Sequence, residues 1–70
     1  MTIYDLMYLH IEGDAEIIVY GCDEDCSVLY EGWYSDIPCA DVEIMSWYVW
    51  DGKICLDVEV DEWNEYMEEE

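Results

Sequence analysis

Hydrophobic and polar positions alternate most clearly in the second half of the chain. Residues 42–50 and 53–60 are two β-type runs separated by Asp51-Gly52, a dipeptide typical of two-residue hairpin turns. Such a turn fixes the register, so Trp50 faces Lys53 and the earlier positions pair in step, as far as Met45 with Val58. One face is then predicted to be the core face, and it carries Met45, Trp47, Val49, Ile54, Leu56 and Val58. The opposite face carries Ile44, Ser46, Tyr48, Trp50, Cys55, Asp57, Glu59 and Asp61.

Two short helices are predicted near the ends of the chain. Apolar residues recur at helical spacing over residues 3–10, and Thr2 precedes them as an N-cap. Asp5 falls in the first turn, where the helix dipole favours a carboxylate. A second helical segment is predicted to begin near Asp61, which can cap it.

A first hairpin is predicted between the N-terminal helix and the second hairpin. Residues 15–20 are rich in β-branched residues and predict a strand, residues 27–31 predict a second, and the polar stretch 21–26 joins them. Residues 35–38 predict a turn or one short helical turn. The whole chain, 1–70, is therefore expected to be a single acidic α+β domain: a short N-terminal helix on the core face, two β-hairpins forming a mainly antiparallel four-stranded sheet, and a short C-terminal helical segment.

The charge balance changes the expected partner. Twenty Asp and Glu residues stand against one lysine, Lys53, which gives a formal net charge of -19. Four Trp and seven Tyr residues distinguish the chain from disordered acidic sequences, so we expect it to fold. Direct binding to nucleic acid or to an anionic membrane requires Lys and Arg that this chain lacks. A strongly basic protein surface is the complementary partner.

No metal or cofactor is expected. The four cysteines Cys22, Cys26, Cys39 and Cys55 leave two alternatives, a pair of disulfides in an oxidising compartment or a four-thiolate zinc site, although the C-x2-C spacing usual for zinc is absent. The first residues lack the basic start of a signal peptide, and no apolar run reaches membrane-spanning length. These features predict a cytoplasmic protein with reduced thiols.

Catalysis is poorly supported by the residue types present. His10 is the only histidine, and its helical spacing with Leu6 and Met7 favours a packed or half-exposed position. The chain has no phosphate-binding glycine loop, nucleophile elbow or metalloprotease helix. We therefore expect a non-catalytic protein.

The carboxylates provide the main functional hypothesis. On the predicted strand, Asp57, Glu59 and Asp61 alternate and project from one face at intervals of about 7 Å. A DNA strand carries one charge per about 3.4 Å, a density that two neighbouring acidic elements approach. Tyr48 and Trp50 lie beside this stripe, as interface anchors do. The predicted partner-binding residues are Asp23, Glu24, Asp25, Tyr48, Trp50, Asp57, Glu59, Asp61, Glu62 and Glu65.

Other interpretations of the same residues remain open. The acidic face can serve solubility alone. Tyr48 and Trp50 can pack under a terminal segment or in a homodimer, or they can form the docking face of an interaction module of the antitoxin or adaptor type.

The stretch DVEIMSWYVWDGKICLDVEVDEW, Asp41 to Trp63, places aromatic residues among acids, and the layout TIYDLMYLH…AEIIVY…YEGWYSDIP…DGKICLDVEV extends over most of the chain. In its shortness, its acidity and its aromatic residues placed among acids, the chain resembles the small acidic proteins that phages and prophages encode against bacterial nucleases. These are the anti-CRISPR and anti-restriction DNA mimics. The resemblance implies an inhibitor that occupies the basic nucleic-acid groove of a CRISPR–Cas effector or related nuclease. It implies no particular fold and assigns no role to an individual residue.

Overall fold

The computed structural model describes residues 1–10, 13–22 and 26–68, without the side chains of His10 and Glu68. It confirms the predicted α+β class: a helix, a hairpin, a short 3-10 turn, a second hairpin and a helix follow one another along the chain. These elements are α1 (Ile3–His10), β1 (Glu16–Gly21), β2 (Val28–Trp33), the 3-10 turn (Tyr34–Asp36), β3 (Ile44–Trp50), β4 (Lys53–Val58) and α2 (Val60–Glu68).

The four strands form one sheet in the order β2-β1-β4-β3. Each hairpin is antiparallel, and the two hairpins join through a parallel pairing of β1 with β4. In that central pairing Ile17 lies beside Ile54, and Val19 lies beside Leu56. The strands β2 and β3 are therefore the two edges of the described sheet.

Both helices pack on the same face of this sheet and enclose the core with it. The fully or nearly buried cluster consists of Ile3, Leu6, Met7, Ile17, Val19, Val42, Ile54, Leu56, Val58 and Trp63. The expectation that the N-terminal helix covers the Ile54, Leu56 and Val58 face is confirmed. Each such side chain contributes roughly 1.5–3 kcal/mol when it leaves water, which is how a short chain holds its fold.

The start of α1 is fixed by a reciprocal capping arrangement. The Asp5 N–H donates to Thr2 Oγ1 at 3.1 Å, and the Thr2 N–H donates to an Asp5 carboxylate oxygen at 3.1 Å. The backbone and side-chain hydrogen bonds from Thr2 lower the pKa of Asp5. The Ile3 N–H also donates to the Val42 carbonyl at 3.1 Å, so the capped helix end is tied to the segment before β3.

The second hairpin turns at Asp51 and Gly52, as predicted. Their φ angles are 53° and 74°, and two successive positive values identify a type I′ turn, whose twist suits a two-residue hairpin. The predicted register is confirmed from this turn to the middle of the hairpin, in the pairs Trp50–Lys53, Val49–Ile54 and Trp47–Leu56.

The predicted register fails at Met45. Pairing is irregular between Ile44 and Ser46, and Ile44 rather than Met45 lies opposite Val58. A bulge of this kind adds one residue to one strand and redirects its side chain. The predicted Met45–Val58 pair is therefore wrong, and Ile44 packs against the core instead.

The core-face prediction for β3 is wrong as well. Met45, Trp47 and Val49 are 62%, 43% and 63% exposed. Trp47 and Val49 do point to the side of the sheet that bears the helices. The buried strands of that side are β1 and β4, however, whereas β3 is an edge that the helices leave uncovered.

The predicted acidic strand beyond Val58 is also wrong. The strand β4 ends at Val58 and α2 begins at Val60, so Asp57, Glu59 and Asp61 do not alternate along one strand. The Trp63 N–H donates to the Glu59 carbonyl at 3.0 Å and closes the first turn of α2. Winding the chain at this point buries Trp63 in the core. The helix starts one position before Asp61, which lies in its first turn.

Candidate partner-binding surface

The face of the sheet opposite the helices is an open surface of three rows. The registers of the strand pairs place one residue from each strand in a row, in the order β2, β1, β4, β3. The rows are Trp33, Glu16, Lys53, Trp50; then Glu31, Ile18, Cys55, Tyr48; then Val28, Tyr20, Asp57, Ser46. We call this surface the open face.

An ion pair lies between two tryptophans in the first row. The Lys53 ammonium is 3.1 Å from a Glu16 carboxylate oxygen, and Trp33 and Trp50 are exposed on either side. The hydrogen bond to Glu16 and its charge raise the pKa of Lys53. The only lysine of the chain is therefore neutralised within the protein.

The centre of the open face is buried. Ile18 and Cys55 are 4% and 1% exposed, although no helix covers them. Tyr48 projects outward beside Cys55, and its partial burial, together with the adjacent thiol, raises the pKa of its hydroxyl. Tyr48 and Trp50 both lie exposed on this face, as the alternation of the strand predicts.

Asp57, one of the predicted site residues, forms a hydrogen bond with Ser46 on the open face. Its carboxylate accepts a hydrogen bond from the Ser46 hydroxyl at 2.7 Å, across the β3–β4 pair. Asp57 is half-buried, so part of its role is to hold the two strands together.

The acids of α2 lie on the other side of the sheet. Asp61 and Glu65 are exposed, while Glu62 accepts a hydrogen bond from the Glu43 N–H at 2.9 Å. A Glu43 carboxylate oxygen lies 2.9 Å from the N-terminal ammonium of Met1, and this hydrogen bond raises the pKa of the ammonium. The acidic helix is thereby connected to the beginning of β3.

The predicted site is thus divided by the sheet. Tyr48, Trp50 and Asp57 share the open face, whereas Asp61, Glu62 and Glu65 belong to α2 and Glu59 precedes that helix. Asp23, Glu24 and Asp25 lie outside the described residues. The strand β3 runs between the two groups and presents exposed side chains to both sides.

Several exposed apolar residues were not predicted from the sequence. Met45, Trp47 and Val49 were assigned to the core, and the uncharged run IMSWYVW of β3 is as typical of a buried strand as of an uncovered one. The place of Trp33 beside Glu16 likewise depends on how the strands pair.

The described residues contain two ion pairs, and both neutralise the positive charges already named.

The Asp14 carboxylate forms hydrogen bonds instead of an ion pair. It accepts them from the Ser35 hydroxyl at 2.8 Å, the Ser35 N–H at 3.0 Å and the Ala15 N–H at 2.9 Å. The Ser35 contacts lower the pKa of Asp14. Most other carboxylates face solvent with no cation from the described part of the chain.

The cysteines do not converge in the described structure. Cys39 packs against the core on the helix side, Cys55 lies on the open face, and the sheet separates them. Among residues 1–10, 13–22 and 26–68 there is neither a group of three or more metal-binding side chains nor a ligand-sized cavity. Within the same ranges no helix is long and apolar enough to span a membrane.

Comparison of the chain with protein-family models, with curated proteins and with solved structures finds no match. The resemblance to acidic phage inhibitors therefore stays a prediction.

Proposed function

We propose that this protein is a non-catalytic inhibitor that mimics nucleic acid. It binds the basic nucleic-acid groove of a bacterial CRISPR–Cas effector or related defence nuclease and blocks binding of the target DNA or RNA. The supporting observation is a net charge of -19 whose two described cations, Lys53 and the N-terminal ammonium, are both consumed by internal ion pairs. The proposal implies action in the cytoplasm of a bacterial host and a phage or prophage origin.

The charge density of the protein supports this proposal. The longest dimension of the described fold is 29 Å. A DNA duplex of that length carries about 17 phosphates, at one charge per about 1.7 Å of axis. Fourteen of the twenty acids lie in the described residues, together with Lys53, so the charge over this length is of the same order as that of the duplex it would replace.

Exposed acids at the start of α2 and just before it can act as phosphate substitutes. Glu59 precedes the helix, and Asp61 and Glu65 lie on it; all three are exposed. Carboxylates in this situation attract a basic surface over long range and accelerate association. They also make the association sensitive to salt, because each contact displaces counterions.

The test is capture of a partner from a bacterial lysate on the immobilised protein at low salt. Elution is then attempted with duplex DNA, with RNA and with increasing salt. We expect a nucleic-acid-binding protein that nucleic acid releases. A partner that neither competitor nor salt releases would contradict the proposal.

A charge-matched pair of variants locates the contact. Asp61→Asn with Glu65→Gln removes two charges from α2, and Glu31→Gln with Asp36→Asn removes two from β2 and the 3-10 turn, away from β3. Partner binding should weaken more in the first variant. Equal effects would show that only total charge matters.

A second candidate function is supported by the exposed aromatic side chains. Trp33, Tyr48 and Trp50 give the open face the character of a docking surface for an adaptor or antitoxin-type module. In that case Trp50→Ala weakens binding more than neutralisation of the α2 acids, and salt has little effect.

A further inference from the structure

The outer edge of β3 has free backbone groups in its second half. In a two-residue hairpin the residues flanking the turn form a hydrogen-bonded pair, here Trp50 and Lys53. Such pairs alternate with non-hydrogen-bonded pairs along an antiparallel ladder. Trp47 and Val49 fall in the non-hydrogen-bonded positions, so their N–H and C=O groups point away from β4. No other strand of the described fold lies on that side.

The beginning of the same edge already accepts a short extended segment. The Ile44 N–H donates to the Met1 carbonyl at 2.8 Å, and Thr2 forms an antiparallel bridge with Glu43. Pairing with the N-terminal residues ends there, and the bulge at Met45 follows. The edge is therefore geometrically competent for strand addition.

The rest of β3 lacks the usual protection of a sheet edge. Edge strands commonly carry Lys, Pro or inward charges that prevent pairing with another chain. Ser46, Trp47, Tyr48, Val49 and Trp50 include none of these, and all five are exposed. An exposed apolar edge with free backbone groups is a template for another strand.

We propose that an extended, basic segment of the partner protein adds to β3 as a fifth strand of the sheet. This inference rests on the proposed function, since it specifies how the basic partner engages this protein. Charge complementarity selects this occupant. Asp51 follows β3 directly, Asp57 lies beside β3 on the open face, and the exposed acids of α2 lie on the other side of the sheet. A second copy would offer the same apolar edge but would bring a further charge of -19.

Alternate side chains of the added strand would reach both sides of the sheet. On the open face they would meet Tyr48 and Trp50, whose rings can stack on arginine. On the helix side they would meet Trp47 and Val49. The added strand would then contact the exposed side chains that β3 presents on both sides of the sheet.

The first test uses a synthetic peptide of about ten residues, with alternating arginine and valine, as the probe. A matched peptide carries N-methyl groups on successive central amides, which preserves its charges and side chains but removes the donors of both edges. The parent peptide should bind the protein about tenfold more tightly or better, because backbone hydrogen bonds are lost in the methylated form. Equal affinities, including failure of both to bind, would overturn the inference.

The second test is amide hydrogen exchange on the protein with and without the parent peptide. The Trp47 and Val49 amides should exchange readily in the free protein and become protected in the complex. Unchanged exchange at both amides would overturn strand addition. Repeating the measurement with the captured partner separates the two proposals: a partner that nucleic acid displaces, but that leaves these amides unprotected, preserves the proposed function and removes only this inference.

Discussion

Self-association through β3 should be controlled by ionic strength. The apolar edge is self-complementary, so a second copy competes with a basic partner for it. Each copy carries a net charge of -19, and the intermediate dimension of the described fold is 25 Å. We therefore expect a monomer at physiological salt and increasing dimerisation as salt screens the repulsion.

The repulsion between two copies can be calculated from their net charge and their separation. Two point charges of -19 separated by 25 Å repel by about 60 kcal/mol in unscreened water. A Debye length of about 8 Å at ~0.15 M salt lowers this roughly twentyfold, to about 3 kcal/mol. At ~1 M salt the Debye length is about 3 Å and the repulsion is negligible. The dimer association constant should thus rise about 100-fold over this range.

Sedimentation velocity at a series of salt concentrations measures this change directly. The matched control is Val49→Lys, which places a charge on the exposed edge and should abolish association even at high salt. A stable dimer at ~0.15 M salt whose affinity ignores ionic strength would refute the reasoning. It would make a second copy the occupant of β3.

Three further predictions test the fold. Gly21→Ala should destabilise the protein by about 1–3 kcal/mol in chemical denaturation, since its Cβ would collide with Val60 Cγ2; an unchanged midpoint would contradict the packing. Leu56→Ala, at a fully buried position, should cost about 2–5 kcal/mol in the same assay, and a loss well below this range would show that the core is not closed there. Asp14→Ala should lower the melting temperature at neutral pH, because Asp14 accepts hydrogen bonds from Ser35. Folding lowers the pKa of Asp14 from its ordinary value of 3.8, so the stability that its carboxylate adds relative to the variant is complete above that pH. This added stability is lost as the pH falls through the lowered pKa of the folded state. A stability difference that does not change with pH would contradict the role of the ionised carboxylate.

Local sequence signals were sufficient for much of the fold. Asp51-Gly52 specifies its turn through the backbone conformations it allows, and this sets the hairpin register without help from the rest of the chain. Thr2 and Asp5 likewise cap α1 through contacts three residues apart. These features were predictable because their partners are close in sequence.

The prediction errors arose where the pairing of strands that are distant in sequence determines which side chains are exposed to solvent. The alternation of β3 correctly places Trp47 and Tyr48 on opposite faces of the sheet. Both side chains are nevertheless exposed, because the parallel β1–β4 pairing makes β3 an edge strand. No pattern within the hairpin contains that information. The bulge at Met45 also had no sign in the alternation of the strand.

The acidic segment after Val58 fits both the two-residue period of a strand and the 3.6-residue period of a helix. Alternation of acids and valines favoured continuation of the strand through Asp61. Val60 and Trp63 also stand at helical spacing, and the burial of Trp63 in the core favours the helix. A prediction from alternation alone therefore placed the acids on one strand when they belong to two elements.

The most direct test of the account follows a labelled DNA duplex or RNA bound to the captured partner while this protein is added. Fluorescence polarisation reports whether the nucleic acid stays bound. We expect complete release of the nucleic acid at about one equivalent of this protein at low salt, with progressively weaker competition as salt increases. A ternary complex, in which this protein binds while the nucleic acid remains in place, would contradict nucleic-acid mimicry.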